Sequence, residues 1–297
     1  MSTVPSYDSH QQAFHRAFEP ELVSILENLP VPPRARILDV PCGSGFYTAH
    51  LAQRLRDEQT LLAVDNNEGY VEATRDRLRE VSFACQMQVR QGDAYHLSFD
   101  DGEFDVVWCA QSMISLDIPE ALRELHRVTH PDGYTAILEE DGFHHLMLPW
   151  PPALEAVLPQ AIYRASAERY GSGAKLSPTR RLRALLRRSG FETVRTHTTT
   201  IERIAPFDDT TLAFLEEHLA YLREFAYPYL PPDAQHLFDE STNASLPRSL
   251  QQQADAEIVC LLHVYTAWPK AERAEEMAQH QAVGSGAGNG VKNGMGA

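Results

Sequence analysis

Residues 37–48 read ILDVPCGSGFYT: an apolar run carrying one acid, Asp39, that breaks into the glycines Gly43 and Gly45. The run reads as a buried strand, and the glycines as the turn into a helix that such strands use to approach a nucleotide. Pro41 stands where such turns usually carry their first glycine. Proline fixes φ at about −65° and has no N–H, so it suits poorly a loop whose every amide must cradle phosphate. It suits a phosphate-free ligand better, one met by Asp39 and by the backbone at Gly43 and Gly45. The chain at Pro41 is expected to be extended, with φ negative.

Outward from this stretch, strands and helices alternate. Phe14, Phe18, Leu22, Ile25, Leu26 and Leu29 recur at helical spacing and predict one helix over 12–29. Strands are predicted at 36–41, 61–64, 86–90, 104–109 and 134–139, with helices at 46–56, 68–81 and 120–128. Short, apolar, β-branched strands alternating with helices are the pattern of a parallel sheet covered on both faces. Residues 141–175, rich in Pro, His and aromatics, read as a partly helical insertion. A helix follows at 177–190, with Ser177 as N-cap and Gly190 just past its end. A strand is expected at 191–199, a mostly helical stretch at 208–255 broken at 227–232, and a last strand at 257–268. The Gly-rich end, 270–297, is expected to be disordered.

The chain has 297 residues, a formal net charge of −15 and 43% hydrophobic residues. That length accommodates one large α/β domain or two small ones. The acidic balance argues against nucleic acid or an anionic membrane as partner. Cys42, Cys85, Cys109 and Cys260 are scattered with no CxxC pair, so neither a metal site nor a disulfide framework is expected. No apolar stretch approaches the roughly 18 residues of a membrane span. The expectation is a soluble, cytoplasmic protein.

Three acids at strand ends, Asp39, Asp65 and Asp93, carry the cofactor argument with the two glycines. Asp65 lies about 20 residues past the glycines, where α/β folds place the acid that bonds ribose hydroxyls. Asp93 is placed to accept from an adenine amino group. No GK[ST] follows the loop, which excludes a P-loop. Gly45 is followed by Phe46, Tyr47 and Thr48, so the third glycine of a dinucleotide fingerprint is missing. A diphosphate cofactor thereby loses support, and S-adenosylmethionine, which has no phosphate, gains it.

ILDVPCGSG, LLAVDNNEGYVEATRDRL, QGDAYHLSFDDGEFDVVWCAQSM and LHRVTHPDGYTAILEE resemble successive motifs of class I S-adenosylmethionine-dependent methyltransferases. They are most similar to the UbiE-like small-molecule branch, over roughly residues 35–140. The resemblance implies an α/β fold: a Rossmann-like, doubly wound, seven-stranded, mostly parallel sheet whose last strand is antiparallel, here with helical cap insertions. It implies that Asp39, Gly43 and Gly45 surround the methionine moiety. It places Asp65, with its neighbour Asn66, at the ribose, and Asp93 and Ala94 at the adenine. Cys109 and Gln111 then lie by the methionine amino group and the methyl-transfer channel. Pro41 and the roughly 50-residue helical stretch before the last strand depart from the family pattern.

The domain expectation is an N-terminal helical segment, 1–34, and a cofactor-binding domain, 35–269, with caps at about 141–175 and 205–255. His144 and His145, directly after the fifth strand, are the candidate catalytic bases. Glu139 and Glu140 could hold an amine. Tyr7, His10, Phe14 and Phe18 fit either a segment folded over the cofactor or ordinary helix packing. The aromatics of the caps suggest a pocket for an acceptor with an apolar or aromatic part; a cap core or a homodimer contact would use them equally well. The expected function is methyl transfer from S-adenosylmethionine to a small organic acceptor, oxygen first, then nitrogen or carbon, with S-adenosylhomocysteine released. The alternatives are a binder of S-adenosylmethionine that transfers nothing and a nicotinamide oxidoreductase.

Overall fold

The structure, a computed structural model, describes residues 8–142, 146–172 and 177–270. Tyr7, His144, His145 and the tail from residue 271 lie outside the described residues. The leading strands and helices are β1 (Arg36–Asp39), α3 (Phe46–Arg54), β2 (Thr60–Asp65), α4 (Glu68–Arg79), β3 (Gln86–Gln91), β4 (Phe104–Ala110), α5 (Ile118–Val128) and β5 (Thr129–Glu139). The first insertion holds β6 (Leu146–Met147), α6 (Pro152–Glu155) and α7 (Leu158–Tyr170). Then come α8 (Thr179–Arg188), β7 (Thr193–Ile204), α9 (Asp209–Phe225), α10 (Pro232–Thr242) and β8 (Glu257–Trp268).

One sheet runs in the order β3–β2–β1–β4–β5–β8, with β7 and the two-residue β6 both paired to β8. β1, β2, β3, β4 and β5 pair in parallel, and β8 is antiparallel to β5 and β7. The seven long strands are those expected; the eighth is the short β6. Because strand side chains alternate, the sheet feeds two cores. Ile37, Trp108, Ala136 and Leu138 pack with Phe14, Phe18, Leu22 and Leu51 on one face. Leu38, Val107 and Ile137 pack with Leu122, Leu125, Leu182 and Leu186 on the other. Asp39 pairs in register with Ala63 of β2 and Trp108 of β4. The carboxyl ends of β1, β2, β4 and β5 therefore open at one edge, where β1 sits between β2 and β4 and the strand order reverses. That is the usual ligand crevice of such sheets.

Some expectations need correction, among them the start of β5, which lies at Thr129 and not at 134 because Thr129 pairs with Phe104 of β4. The helix over 12–29 is two helices, α1 (Asp8–Ala17) and α2 (Glu19–Glu27), because Pro20 has no N–H to continue the ladder and sits in the first turn of α2. Ser177 does not cap α8: the residue before the helix is Pro178, and the Ser177 hydroxyl donates to Asp141 Oδ1 at 3.0 Å. β7 runs five residues beyond its predicted end because β8 pairs with it along its full length, from Thr193 opposite Trp268 to Ile204 opposite Glu257. Among the described residues no helix is long and apolar enough to cross a membrane.

Candidate functional site

The glycine loop forms between β1 and α3. The Val40–Pro41 peptide is cis, and Pro41 lies in a bend. The Cys42 N–H donates to the Val64 carbonyl at 2.9 Å, which ties the loop to the end of β2. Gly43 (φ +53°) and Gly45 (φ +79°) then turn the chain into α3, which starts with no capping side chain. Gly45 before it has no side chain to cap its first-turn amides, as at helix starts that meet a ligand.

Asp65 closes β2 and braces the loop from across the crevice. Its Oδ2 accepts the Gly43 N–H at 3.0 Å and its Oδ1 the Asn67 N–H at 2.9 Å. Burial pushes its carboxyl above the usual range even though these backbone donors pull the other way. With Asn66 as a further backbone donor, the carboxylate's roughly four lone-pair sites still leave room for a ligand hydroxyl. Asn67 Oδ1 caps α4 by accepting the Gly69 N–H. Asp93 is exposed just past β3, its Oδ1 accepting the Tyr95 N–H at 3.0 Å, and Ala94 beside it is buried.

After β4, Gln111 adopts φ +51°, rare for a residue with a side chain. Its amide oxygen gathers donors from three places: Tyr47 Oη and His15 Nε2, both at 2.8 Å, and Gln11 Nε2 at 3.4 Å. Its NH2 donates to Glu140 Oε2 at 3.3 Å. An amide oxygen only accepts, so His15 carries its proton on Nε2. Burial lowers the His15 pKa to about 4, and its ring stacks on Phe46 with centroids 4.2 Å apart. Glu139 is buried beneath this turn, and Oε1 accepts the N–H groups of Ser112 and Met113, each at 2.8 Å. Burial raises its pKa to about 8.

A cavity of ≈ 580 Å³ joins these features to the caps. Gly43, Asp65, Asn66, Asp93, Ala94 and Gln111 line its sheet end. Leu148, Trp150, Leu158, Tyr170, Tyr221 and Phe225 line its cap end, with Phe14 and His10 of α1. Its size suits a ligand of cofactor or drug dimensions. Asp39, Gly45 and Cys109 stand behind the wall. Asp39 accepts the Thr48 hydroxyl at 2.5 Å, and burial raises its carboxyl to about 7. Cys109 is fully buried, its thiol pushed well up. Gly45 packs on Thr74, with no room for a Cβ. The candidate bases His144 and His145 lie outside the described residues. Among the described residues no group of three or more His, Cys, Asp or Glu is arranged to hold a metal.

The residues sequence reasoning missed are His15, Tyr47 and His218. His218 shares a helical face with Phe214, Tyr221, Leu222 and Phe225 on α9, and that spacing was a readable signal. His15 and Tyr47 carry no such signal, because only the packing of α1 against α3 turns both toward Gln111.

The family described as "Methyltransferase domain" matches residues 37–133. A demethylmenaquinone methyltransferase of Lactobacillus johnsonii is 32% identical over 34% of this chain and 42% of its own length. The ubiquinone/menaquinone biosynthesis C-methyltransferase UbiE of Idiomarina loihiensis is 34% identical over 35% of this chain and 42% of its own. Methyltransferase GfsG of Streptomyces halstedii is 33% identical over 39% and 41%. The chain thus spans less than half the length of these curated relatives. Among solved structures, the YcgJ protein of Bacillus subtilis covers 85% of this chain and 100% of its own with a TM-score of 0.53 at 16% identity. Phosphoethanolamine N-methyltransferase 2 of Haemonchus contortus covers 89% and 58% with a TM-score of 0.51 at 14% identity. At such identities these two speak for the fold alone.

Proposed function

We propose that this chain, whose residues 37–133 match a methyltransferase-domain family, is a class I S-adenosylmethionine-dependent methyltransferase of the UbiE-like kind that works in the cytoplasm and methylates a small organic acceptor with an apolar or aromatic part. The observation that supports the reading is one cavity lined by Asp65, Asn66, Asp93 and Ala94 at its sheet end and by Trp150, Tyr170, Tyr221 and Phe225 at its cap end. S-adenosylmethionine supplies an electrophilic methyl group on a sulfonium. The protein's part is to hold donor and acceptor in line and to keep water out.

Asp65 and Asn66 take the ribose, and Asp93 with the Ala94 amide takes the adenine. The Gly43 loop and Gln111 meet the methionine end. Asp39, Gly45 and Cys109 act one layer back. Asp39 holds Thr48, and with it the start of α3, while Gly45 lets the loop lie against α4. The aromatic side chains of α7 and α9 select the acceptor, and the two insertions serve as its lid. Oxygen remains the first choice of methylated atom, ahead of nitrogen. Carbon gains ground from the names of the quinone-methylating relatives. Pocket walls built from insertions favour an acceptor of specialised metabolism.

Calorimetry with S-adenosylhomocysteine tests the donor site. Asp65→Ala removes the ribose acceptor and a loop brace together, and should weaken binding by about 1–3 kcal/mol. Unchanged affinity refutes the ribose role. Binding of NAD but not S-adenosylhomocysteine refutes the assignment in favour of an oxidoreductase. Tight binding with no acceptor in a broad mass-detected screen gaining a methyl group points to a binding protein.

A further inference from the structure

Two neighbouring acids at the end of β5 differ in what they face. Glu139 is buried and accepts the Ser112 and Met113 N–H groups beneath the Gln111 turn. Glu140, the next residue, is half-buried and lines the cavity. Among the described residues its side chain has one hydrogen-bond donor, the uncharged amide of Gln111 at 3.3 Å, and it forms no ion pair. A carboxylate that has lost part of its water and meets only a neutral donor is poorly compensated. A cation brought into the cavity compensates it and makes a charge-assisted hydrogen bond.

The rest of the lining has the same sign. Its acids are Asp65, Asp93, Glu140 and Glu155, and among the described residues no Lys or Arg lines it. Its bases are His10, His15 and His218, and burial lowers the His15 pKa to about 4. Arg169 is close, its guanidinium carbon 5.8 Å from the ring centroids of Tyr170 and Phe225, but it is exposed, outside the lining and not paired with Glu140. Tyr221 stands beside the carboxylate. Its ring is fixed by stacking on His10, with centroids 5.0 Å apart, and on Phe225, 5.2 Å apart. Burial pushes its phenol up, and Glu140 is among the charges that add to this. A phenol so held keeps its proton and has lone pairs that an N–H can donate to.

We propose that the acceptor carries an ammonium group, held by the Glu140 carboxylate with the Tyr221 hydroxyl, an inference that rests on the methyl-transfer reading above. Leu148, Trp150, Leu158 and Ile162 then take its apolar part. A protonated amine has no lone pair to attack with. The group held at Glu140 therefore anchors the acceptor, and another of its atoms takes the methyl group. An acceptor with a carboxylate or phosphate at that end meets like charge with no Lys or Arg of the described lining to offset it, and is rejected.

The test is calorimetry at neutral pH on protein loaded with S-adenosylhomocysteine, with three probes of matched shape: phenethylamine, phenethyl alcohol and hydrocinnamate. Phenethylamine should bind wild type about tenfold or more tighter than the alcohol, with hydrocinnamate the weakest. Glu140→Gln, which keeps an oxygen for the Gln111 amide, should remove most of the amine's advantage and still bind S-adenosylhomocysteine as wild type does. Tyr221→Phe, which keeps the stacked ring, should narrow the advantage. Wild type that binds the alcohol or hydrocinnamate as tightly as the amine overturns the proposal, as does wild type that binds none of the three. An advantage that survives Glu140→Gln overturns it as well. So does loss of S-adenosylhomocysteine binding in that variant, since the carboxylate then serves the donor. If Glu140→Gln does not fold, the wild-type order and Tyr221→Phe decide. Wild type that binds no S-adenosylhomocysteine overturns the methyl-transfer reading and this inference with it.

Discussion

Replacing Glu139 by glutamine should flatten the protein's loss of stability at alkaline pH. Glu139 ends β5, is 3% exposed, and holds the turn that carries Gln111 by accepting the Ser112 and Met113 N–H groups. Burial, with the neighbouring Glu140, raises its pKa from 4.5 to about 8. The folded state therefore keeps a proton that the unfolded chain releases above 4.5. The stability tied to that proton is fully present below about pH 4.5 and is lost as pH rises through about 8. At 1.36 kcal/mol per pH unit the whole span is about 5 kcal/mol. Glutamine keeps the carbonyl oxygen that both amides need and has no charge to bury. At pH 5 the variant should lie within about 1 kcal/mol of wild type, and at pH 9 it should be the more stable by about 3–5 kcal/mol. Urea unfolding at pH 5, 7 and 9 measures this. Asp39, raised to about 7, titrates in the same window but is common to both proteins and cancels. Wild-type and variant curves that stay parallel from pH 5 to 9 would refute the reasoning, since Glu139 would then be ionised without cost.

His15→Phe should act at the other end of the scale. Its pKa falls from 6.5 to about 4 on burial, so wild type loses stability as pH drops through that interval, by about 3 kcal/mol in all. Phenylalanine keeps the stack on Phe46 and should remove that acid limb in thermal melts run from pH 7 to 4, at a cost near neutrality of about 1 kcal/mol for the lost bond to Gln111. The two loop glycines should separate. At Gly43 a Cβ meets nothing within 4 Å, so Gly43→Ala should cost only the left-handed backbone, about 1–2 kcal/mol. At Gly45 a Cβ would sit 2.9 Å from the Thr74 Cα, so Gly45→Ala should cost about 3 kcal/mol or more. Equal urea midpoints for the two would contradict this geometry. Tyr47→Phe removes one of the donors to Gln111 and should cost about 0.5–1.5 kcal/mol in the same assay; a gain in stability would mean that the bond is not made.

What could be read ahead of the structure follows from the range over which each signal acts. Strand alternation and helical spacing are local, so β1 to β4 stand close to where their apolar patterns place them and β8 spans 257–268 as expected, whereas β5 begins at Thr129, five residues ahead of the expected 134, because Thr129 pairs with Phe104 of β4. The position of Asp65 at the crevice was legible because the parallel sheet sets the ends of β1 and β2 side by side wherever this topology occurs. The break at Pro20 was local too, but the apolar spacing runs on across it and masks it. The polar centre of the site is of another kind. Gln111 gathers His15, 96 residues before it, and Tyr47, 64 residues before it, and His10 meets His218 across 208 residues. Each of these side chains suits a helix surface or a loop when read alone. Only the seating of α1 against α3 and α9 gives them a common target. The φ of +51° at Gln111 is equally silent in sequence, because glutamine has no preference for it. It is held by the Gln111 N–H donated to Leu138 and by the buried Glu139 below, so an acid read from the sequence as a possible holder of an amine is what shapes the turn facing the cavity.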